Sequence, residues 1–430
     1  MIRTISTADL AQRLGDPDLV VVDVRPTAAY NGWSLGGEAR GGHIRGAVAC
    51  PLAWSYGVKA DVMKTLLGTK GITPDKTIVA YGYTPDESAA MVSMLGDMGY
   101  ENVFAYAAGL GEWAADDRLP MSRLANYEKL VHPEWLHSLN HGGRVEAHPQ
   151  NGFALFHVNF GVPEDYHAGH IPGAAYLDTN VLEAETTWNR RSSEELEAAL
   201  LAHGITRDTT VVLYGRYSTP NPVDDPHPGQ KAGQIAATRA AAILMYAGVE
   251  DVRLLDGAFN AWVAAGYEVD TQEHKPAPAP AFGAEIPARP DYFVDIEEAK
   301  DLIADPGGVL VSIRSWPEFI GENSGYHYIG PRGRIAGAVW GNCGTDAYHM
   351  QNYRNMDNTM REYHEIEVFW RDVGITPDKR VAFYCGTGWR ASETFFYAYL
   401  MGWPDVAVYD GGWHEWSADP ANPIATGETE

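Results

Sequence analysis

Cysteine is scarce: three among 430 residues, Cys50, Cys343 and Cys385, too few and too scattered for a disulfide framework or a structural zinc site. Each reads as a free thiol needing its own explanation. Positive charge is also short, with 32 Lys and Arg against 57 Asp and Glu and a formal net charge of -25. That balance argues against nucleic acid or an acidic membrane surface as partner, since both reward clustered Lys and Arg. No apolar run approaches the roughly 20 residues of a membrane helix. The opening MIRTISTADLAQRL lacks the basic start and apolar stretch of a signal peptide. The expected compartment is the cytoplasm, or the periplasm if a leader has been removed. No CxxC, HExxH, P-loop or dinucleotide fingerprint occurs, and neither a metal nor another cofactor is expected.

What is present is a threefold internal repeat. Each repeat opens with an apolar segment and a short helix: TISTADLAQRL from Thr4, KLVHPEWLHSL from Lys129, YFVDIEEAKDLI from Tyr292. A buried strand follows, ending in Asp23-Val24-Arg25, His157-Val158-Asn159 or Ser312-Ile313-Arg314. Next come the turns GHIRGA from Gly42, GHIPGA from Gly169 and GRIAGA from Gly333, then GITPDKTIVAYG, GITRDTTVVLYG and GITPDKRVAFYC. Each repeat closes on a tryptophan helix, at Trp113, Trp262 and Trp416. The period is far longer than a solenoid unit, so each repeat reads as a whole domain. The expected domains are 1–123, 124–274 and 291–430, with the Pro/Ala-rich stretch 275–290 as a semi-extended linker. The second repeat carries extra residues after Gly215, read as a surface loop over 216–234. Strands rich in Val, Ile and Tyr alternate with helix-period segments, predicting α/β domains, each a mainly parallel sheet flanked by helices. The clearest helices are those after Tyr83 and after Trp389.

Aligned, the repeats place Gly82, Gly215 and Cys385 at one equivalent strand end, and only the third has a nucleophile there. In such sheets the reactive crevice lies beyond the carboxyl ends of the strands. Cys385-Gly386-Thr387-Gly388-Trp389-Arg390 leads from a strand into a helix, where backbone N–H groups and the helix dipole favour an anion. Such surroundings suit a reactive thiolate, and two glycines let the backbone close around a sulfur atom. Thr387 adds a hydroxyl and Arg390 a fixed charge. The loop from Cys385 to Arg390 is one residue shorter than the anion loop of cysteine phosphatases, a ring better suited to one sulfur than to a phosphate. The other rival is a module that relays a persulfide between proteins.

The repeat pattern and the loop CGTGWR resemble the rhodanese family, and the layout is similar to its three-domain bacterial members with one active C-terminal domain. The resemblance implies a thiosulfate or 3-mercaptopyruvate sulfurtransferase that carries sulfane sulfur as a persulfide on Cys385. It implies that Gly386, Thr387, Gly388 and Trp389 cradle the persulfide, with Arg390, Arg314 and Arg332 near the donor. It places a proton relay at His170 in the GHIPGA turn, although the accompanying acid position holds Asn159. The implied partners are a small sulfur donor and a thiol or cyanide acceptor, or a sulfur-carrier protein or cysteine desulfurase in the relay reading. The start CGTG is similar to the mercaptopyruvate type, so 3-mercaptopyruvate is the expected better donor, its carboxylate held by Arg314 and Arg390.

Overall fold

The computed structural model describes residues 2–56, 58–217 and 233–428. Three parallel sheets follow one another along the chain. The first sets Val48–Ala49, Leu19–Asp23, Thr77–Tyr81 and Val103–Ala105 side by side. The second orders Leu130–Val131, Asp251–Leu255, Thr210–Tyr214, Phe153–Asn159 and Ala175–Asp178, and the third Phe293–Val294, Val406–Tyr409, Arg380–Tyr384, Gly308–Ser312 and Val339–Trp340. Register in the third pairs Val311 with Phe383 and Ser312 with Tyr384. The central strands are apolar on both faces because helices cover both, as parallel sheets require.

The opening segment of each repeat behaves differently according to its apolar content. Leu130–Val131 and Phe293–Val294 bury both residues and add a fifth strand. In the first repeat the more polar start makes only a single bridge, Thr4 to Ala105. Helix starts follow the local sequence. Ser192 with Glu195, and Asp295 with Glu298, form reciprocal capping boxes.

The GHI and GRI turns are stitched to the segment after each closing helix. His43–Ile44 pairs with Met121–Ser122 and Arg334–Ile335 with Ile424–Ala425, while His170 bridges Asp270. The closing tryptophans are core residues with a shared hydrogen bond: Trp113, Trp262 and Trp416 donate Nε1–H to the carbonyls of Pro120, Glu268 and Pro423.

The chain divides into two compact units, residues 1–128 and 129–430. The second unit gathers the second and third repeats, which the sequence reading had separated at the linker. Two features tie them. Helix Gly233–Ala247 is buried along its whole length, with Arg239 as its one charged residue, and packs against helix Trp389–Leu400. The linker is strapped down rather than free: Ala279 N–H donates to Leu201, Arg207 N–H to Phe282, and Ala288 N–H to Ala247. The expected loop over 216–234 falls mostly on 218–232, outside the described residues.

Arg239 is fully buried and binds Glu183 at 2.9 Å and Asp410 at 2.7 Å, one carboxylate from each repeat. Truncating it leaves Glu183 buried without a guanidinium and Asp410 with Arg190 alone, and breaking a buried pair from one side costs about 3–5 kcal/mol. Denaturant unfolding of Arg239→Ala is expected to show a destabilisation of that size in the second unit. A change below about 1 kcal/mol, the level of an exposed pair, would contradict this account.

Candidate active site

Strand Arg380–Tyr384 ends at Cys385, which is fully buried, and helix Trp389–Leu400 begins four residues later. The carbonyls of Cys385 and Gly386 accept from Trp413 N–H at 2.8 Å and His414 N–H at 3.0 Å. That of Gly388 accepts from the Ser392 N–H at 2.9 Å and from its hydroxyl at 2.8 Å. In a trans peptide the N–H points opposite to the preceding carbonyl. The N–H groups of Gly386, Thr387 and Trp389 therefore each point away from these carbonyl contacts. Gly388 has φ +87°, and a Cβ there would lie 2.9 Å from Arg239 Nη1. A Cβ on Gly386 would come within 2.6 Å of the Tyr326 hydroxyl oxygen. Both glycines are thus required by close approach.

Arg390 is fully buried behind the loop. Its Nη2–H donates to Glu318 Oε1 and to the Tyr326 hydroxyl, both at 2.9 Å, and Nη1–H to Glu318 Oε2 at 3.0 Å and the Asp346 carbonyl at 3.1 Å. Nη1 also lies 3.5 Å from Cys343 Sγ. Cys343 therefore sits against the loop's arginine, a placement its sequence surroundings did not signal. Burial, only partly offset by Arg390, pushes its thiol up to about 12. Burial would raise the Glu318 carboxyl, but Arg390 and Arg314 override it and hold it at about 2.

A cavity opens over the loop, lined by Thr387, Trp389 and Arg390 together with Trp188, Ile235, Tyr326, Tyr328, Ala347 and Tyr348. Of these, Trp188 and Ile235 come from the second repeat. Trp188 stacks on Tyr328 at 5.9 Å and meets Trp389 edge-on at 6.2 Å, and Tyr326 lies 5.4 Å from Tyr328. Trp188 holds φ +63°, a left-handed conformation rare for a bulky residue and retained where the surroundings dictate it. Glu183, from the second repeat, accepts the Trp389 Nε1–H at 2.9 Å and fixes that ring. Burial pushes the Glu183 carboxyl up to about 7 despite Arg239 beside it. A larger cavity of about 390 Å³ shares the Ile235 and Tyr348 walls.

The other residues singled out from the sequence lie elsewhere. Arg314 is fully buried and committed within its repeat: Nε–H donates to Glu318 at 3.2 Å, Nη1–H to the Gly333 carbonyl at 2.5 Å and Nη2–H to the Ser324 carbonyl at 2.8 Å. It supports the loop through Glu318 and does not line the cavity. Arg332 is exposed and donates to the Glu322 carbonyl at 3.0 Å. His170 lies in the second repeat's turn, bound to the Tyr166 carbonyl at 2.7 Å, and is likewise outside the cavity lining.

The first repeat's loop is filled from within. Glu87 occupies in the first repeat the position of Arg390, and its carboxylate accepts from the N–H groups of Tyr83 at 2.6 Å and Thr84 at 3.1 Å. In the second, Gln234 Oε1 accepts from Gly215 N–H at 3.2 Å. In the first repeat an internal carboxylate thus takes the N–H groups that correspond to those of Gly386 and Thr387.

A rhodanese-like domain family model matches residues 6–116 and 295–419. The thiosulfate sulfurtransferase YnjE of Escherichia coli is 43% identical over 95% of this chain and 89% of its own length. A crystal structure of the anaerobic ergothioneine biosynthesis enzyme from Chlorobium limicola, in complex with its natural substrate trimethyl histidine, is 47% identical. It covers all of both chains with a TM-score of 0.97. A solved EanB variant carrying a cysteine persulfide in a tetrahedral intermediate state with ergothioneine is also 47% identical, over 99% of this chain and 100% of its own, with a TM-score of 0.96. In EanB the altered tyrosine precedes the persulfide cysteine by the same interval that separates Tyr326 from Cys385. An altered threonine follows that cysteine as Thr387 follows Cys385.

The Glu318 carboxylate contributes stability only while ionised. Its folded value, about 2, lies below its ordinary 4.5, so the contribution is complete above pH 4.5 and is lost as pH falls through 2. Glu318→Gln leaves two buried guanidiniums without their counter-charge, which is expected to cost about 3–5 kcal/mol at pH 7. The gap to wild type in unfolding free energy should narrow as pH drops from 4.5 toward 2. A gap constant across that interval would refute the assignment.

Proposed function

Because the chain belongs to the rhodanese-like family of sulfurtransferases, we propose that Cys385 carries the persulfide and hands its outer sulfur to a trimethylammonium-bearing imidazole. The observation that carries this reading is the ring of aromatic side chains over the loop: Trp188, Tyr326, Tyr328, Tyr348 and Trp389. Stacked and edge-on rings present several π faces to one small space. Quaternary ammonium groups are recognised in such cages, at about 0.5–2 kcal/mol per cation–π contact. The one charged lining residue, Arg390, has its guanidinium engaged by Glu318, so the cage walls themselves are apolar and electron-rich. The similar structures bound to trimethyl histidine and to ergothioneine support the same class of acceptor.

Two steps complete the cycle. The Cys385 thiolate attacks the outer sulfur of a donor. With thiosulfate the S–S bond breaks, sulfite leaves and a cysteine persulfide remains. In the second step the outer sulfur bonds to the imidazole carbon between the two nitrogens. The persulfide S–S bond then breaks and Cys385 takes back the electron pair as thiolate. The proton on that carbon is released and the product is a thione. No outside oxidant is needed, because the sulfane sulfur is itself reduced as the carbon is oxidised. Tyr326, anchored by Arg390 and set against Gly386, is the hydroxyl placed to move that proton. The N–H groups of Gly386, Thr387 and Trp389 hold the sulfur anion. With glycine at positions 82 and 215, the first two repeats carry no sulfur in this scheme.

The test compares acceptors by kcat/KM. Trimethyl histidine is expected to exceed unmethylated histidine by tenfold or more, about 1.4 kcal/mol of transition-state preference. Cys385→Ser should abolish the thione product and Cys50→Ser should retain it. Turnover with cyanide or a simple thiol, and none with trimethyl histidine, would reject the acceptor and leave sulfur transfer itself standing.

A further inference from the structure

Away from the sulfur site, the second repeat gathers His170, Asp270 and His274. Their ligand atoms, one ring nitrogen or carboxylate oxygen from each, lie within 4.8 Å of one another. His170 is fully buried and stacks on Tyr166 with ring centroids 3.8 Å apart. Its Nδ1 lies 2.7 Å from the Tyr166 carbonyl oxygen, which only accepts hydrogen bonds, so Nδ1 carries the proton. Nε2 is left with a bare lone pair, buried and without a hydrogen-bond partner among the described residues. An unsatisfied buried acceptor is costly, and here it stands beside a carboxylate and a second imidazole.

The surroundings hold all three groups in place. His170 and Asp270 exchange backbone hydrogen bonds at 2.9 Å, and the His274 N–H donates to the Tyr166 hydroxyl at 2.9 Å. Asp270 Oδ1 accepts from Thr271 N–H at 2.7 Å and Gln272 N–H at 2.9 Å, leaving Oδ2 toward His274 Nε2 at 2.8 Å. A metal-binding imidazole ordinarily donates its other N–H to a carbonyl, and a metal-binding carboxylate is itself hydrogen-bonded. Both conditions are met. The sister repeats do not reproduce the set. Opposite His43 stands Ser122, and the third repeat pairs Arg334 with Ala425. His274 also lines a cavity of about 550 Å³, which gives an ion a path from solvent.

We propose that His170 Nε2, His274 Nε2 and Asp270 Oδ2 bind one divalent first-row transition metal ion, for which two imidazoles and a carboxylate are a zinc-type ligand set. Tetrahedral coordination at about 2.0–2.2 Å needs ligand atoms roughly 3.3 Å apart, so the His274–Asp270 contact of 2.8 Å opens slightly and the separations to His170, now within 4.8 Å, close to match. Binding needs the tautomer of His274 with its proton on Nδ1, which frees for the metal the Nε2 now turned to Asp270. With three protein ligands, the fourth position is left to water. The ion would clasp the segment after the closing helix to the GHIPGA turn, just before the linker begins. Its role is therefore to stabilise the second repeat, since none of its ligands lines the cavity over Cys385.

The test is zinc binding to the full-length chain, read by competition with a chromophoric chelator and by the shift in Tm. Cobalt absorption reports the coordination geometry. Wild type, Cys343→Ser/Cys385→Ser and His141→Ala are each expected to bind one zinc per chain and to gain thermal stability. The serine pair removes the thiols. His141→Ala breaks the neighbouring exposed group of His137, His141 and Glu268. His274→Ala and Asp270→Asn are expected to weaken binding by about 100-fold or more, the upper end of what losing even an outer partner costs. His274 is partly exposed, so its truncation leaves the fold intact, which circular dichroism verifies. No bound zinc in wild type, zinc retained in His274→Ala, or zinc lost in His141→Ala or the serine pair would overturn the proposal.

Discussion

The buried pair of Arg390 and Glu318 is the interaction on which the sulfur site depends. A cation in the first turn of a helix opposes the helix dipole, and full burial adds a desolvation cost. Glu318 offsets both with two bonds to the guanidinium, and it takes further bonds from Arg314 and from the N–H and hydroxyl of Ser315. Held this way, Arg390 passes its orientation on to Tyr326, and Tyr326 to the face of Gly386. The positive charge behind the loop is therefore immobile, and the ring it positions forms one wall of the cavity.

The second repeat completes the other wall although it has glycine where its neighbour has Cys385. Arg239 spans Glu183 and Asp410, and Arg190 adds a second guanidinium to Asp410 at 2.8 Å. Glu183 then fixes the Trp389 indole, and Trp188 closes over it. Without a nucleophile at Gly215 the repeat has a different use: its buried charges position aromatic side chains around the cysteine of its neighbour. The first repeat keeps the same strand order and fills its loop with Glu87.

Much of the fold was legible because it is written three times. The parallel strands, the turns and the closing tryptophans repeat in order, and the helices after Tyr83 and Trp389 appear as Pro85–Asp97 and Trp389–Leu400. The loop from Cys385 to Arg390 was legible because only one repeat has a thiol there. The walls of the site were not, since Trp188, Glu183 and Arg239 belong to another repeat and meet the loop only after folding. Two signals were available: a lone arginine inside the apolar run AATRAAAILM, and the tyrosines of ENSGYHYIG inserted before the third turn. Arg314 is the reverse case. Strand-end position suggests a donor-binding charge, while in the structure its neighbour Glu318 draws it inward. The three metal-ligand candidates were illegible for the same reason, coming from a turn and a distant tail that are brought together only by the bridge between His170 and Asp270.

The central claim is that one sulfur atom passes from Cys385 to the acceptor held in the aromatic cage. Single-turnover mass spectrometry tests it most directly. Protein is loaded with a sulfur donor, freed of excess and mixed with trimethyl histidine. The account predicts a gain of about 32 Da on the Cys385 peptide, the mark of persulfidation, then its disappearance in step with one equivalent of thione. A persulfide that survives trimethyl histidine unchanged, or sulfur found on Cys343 instead, would contradict it.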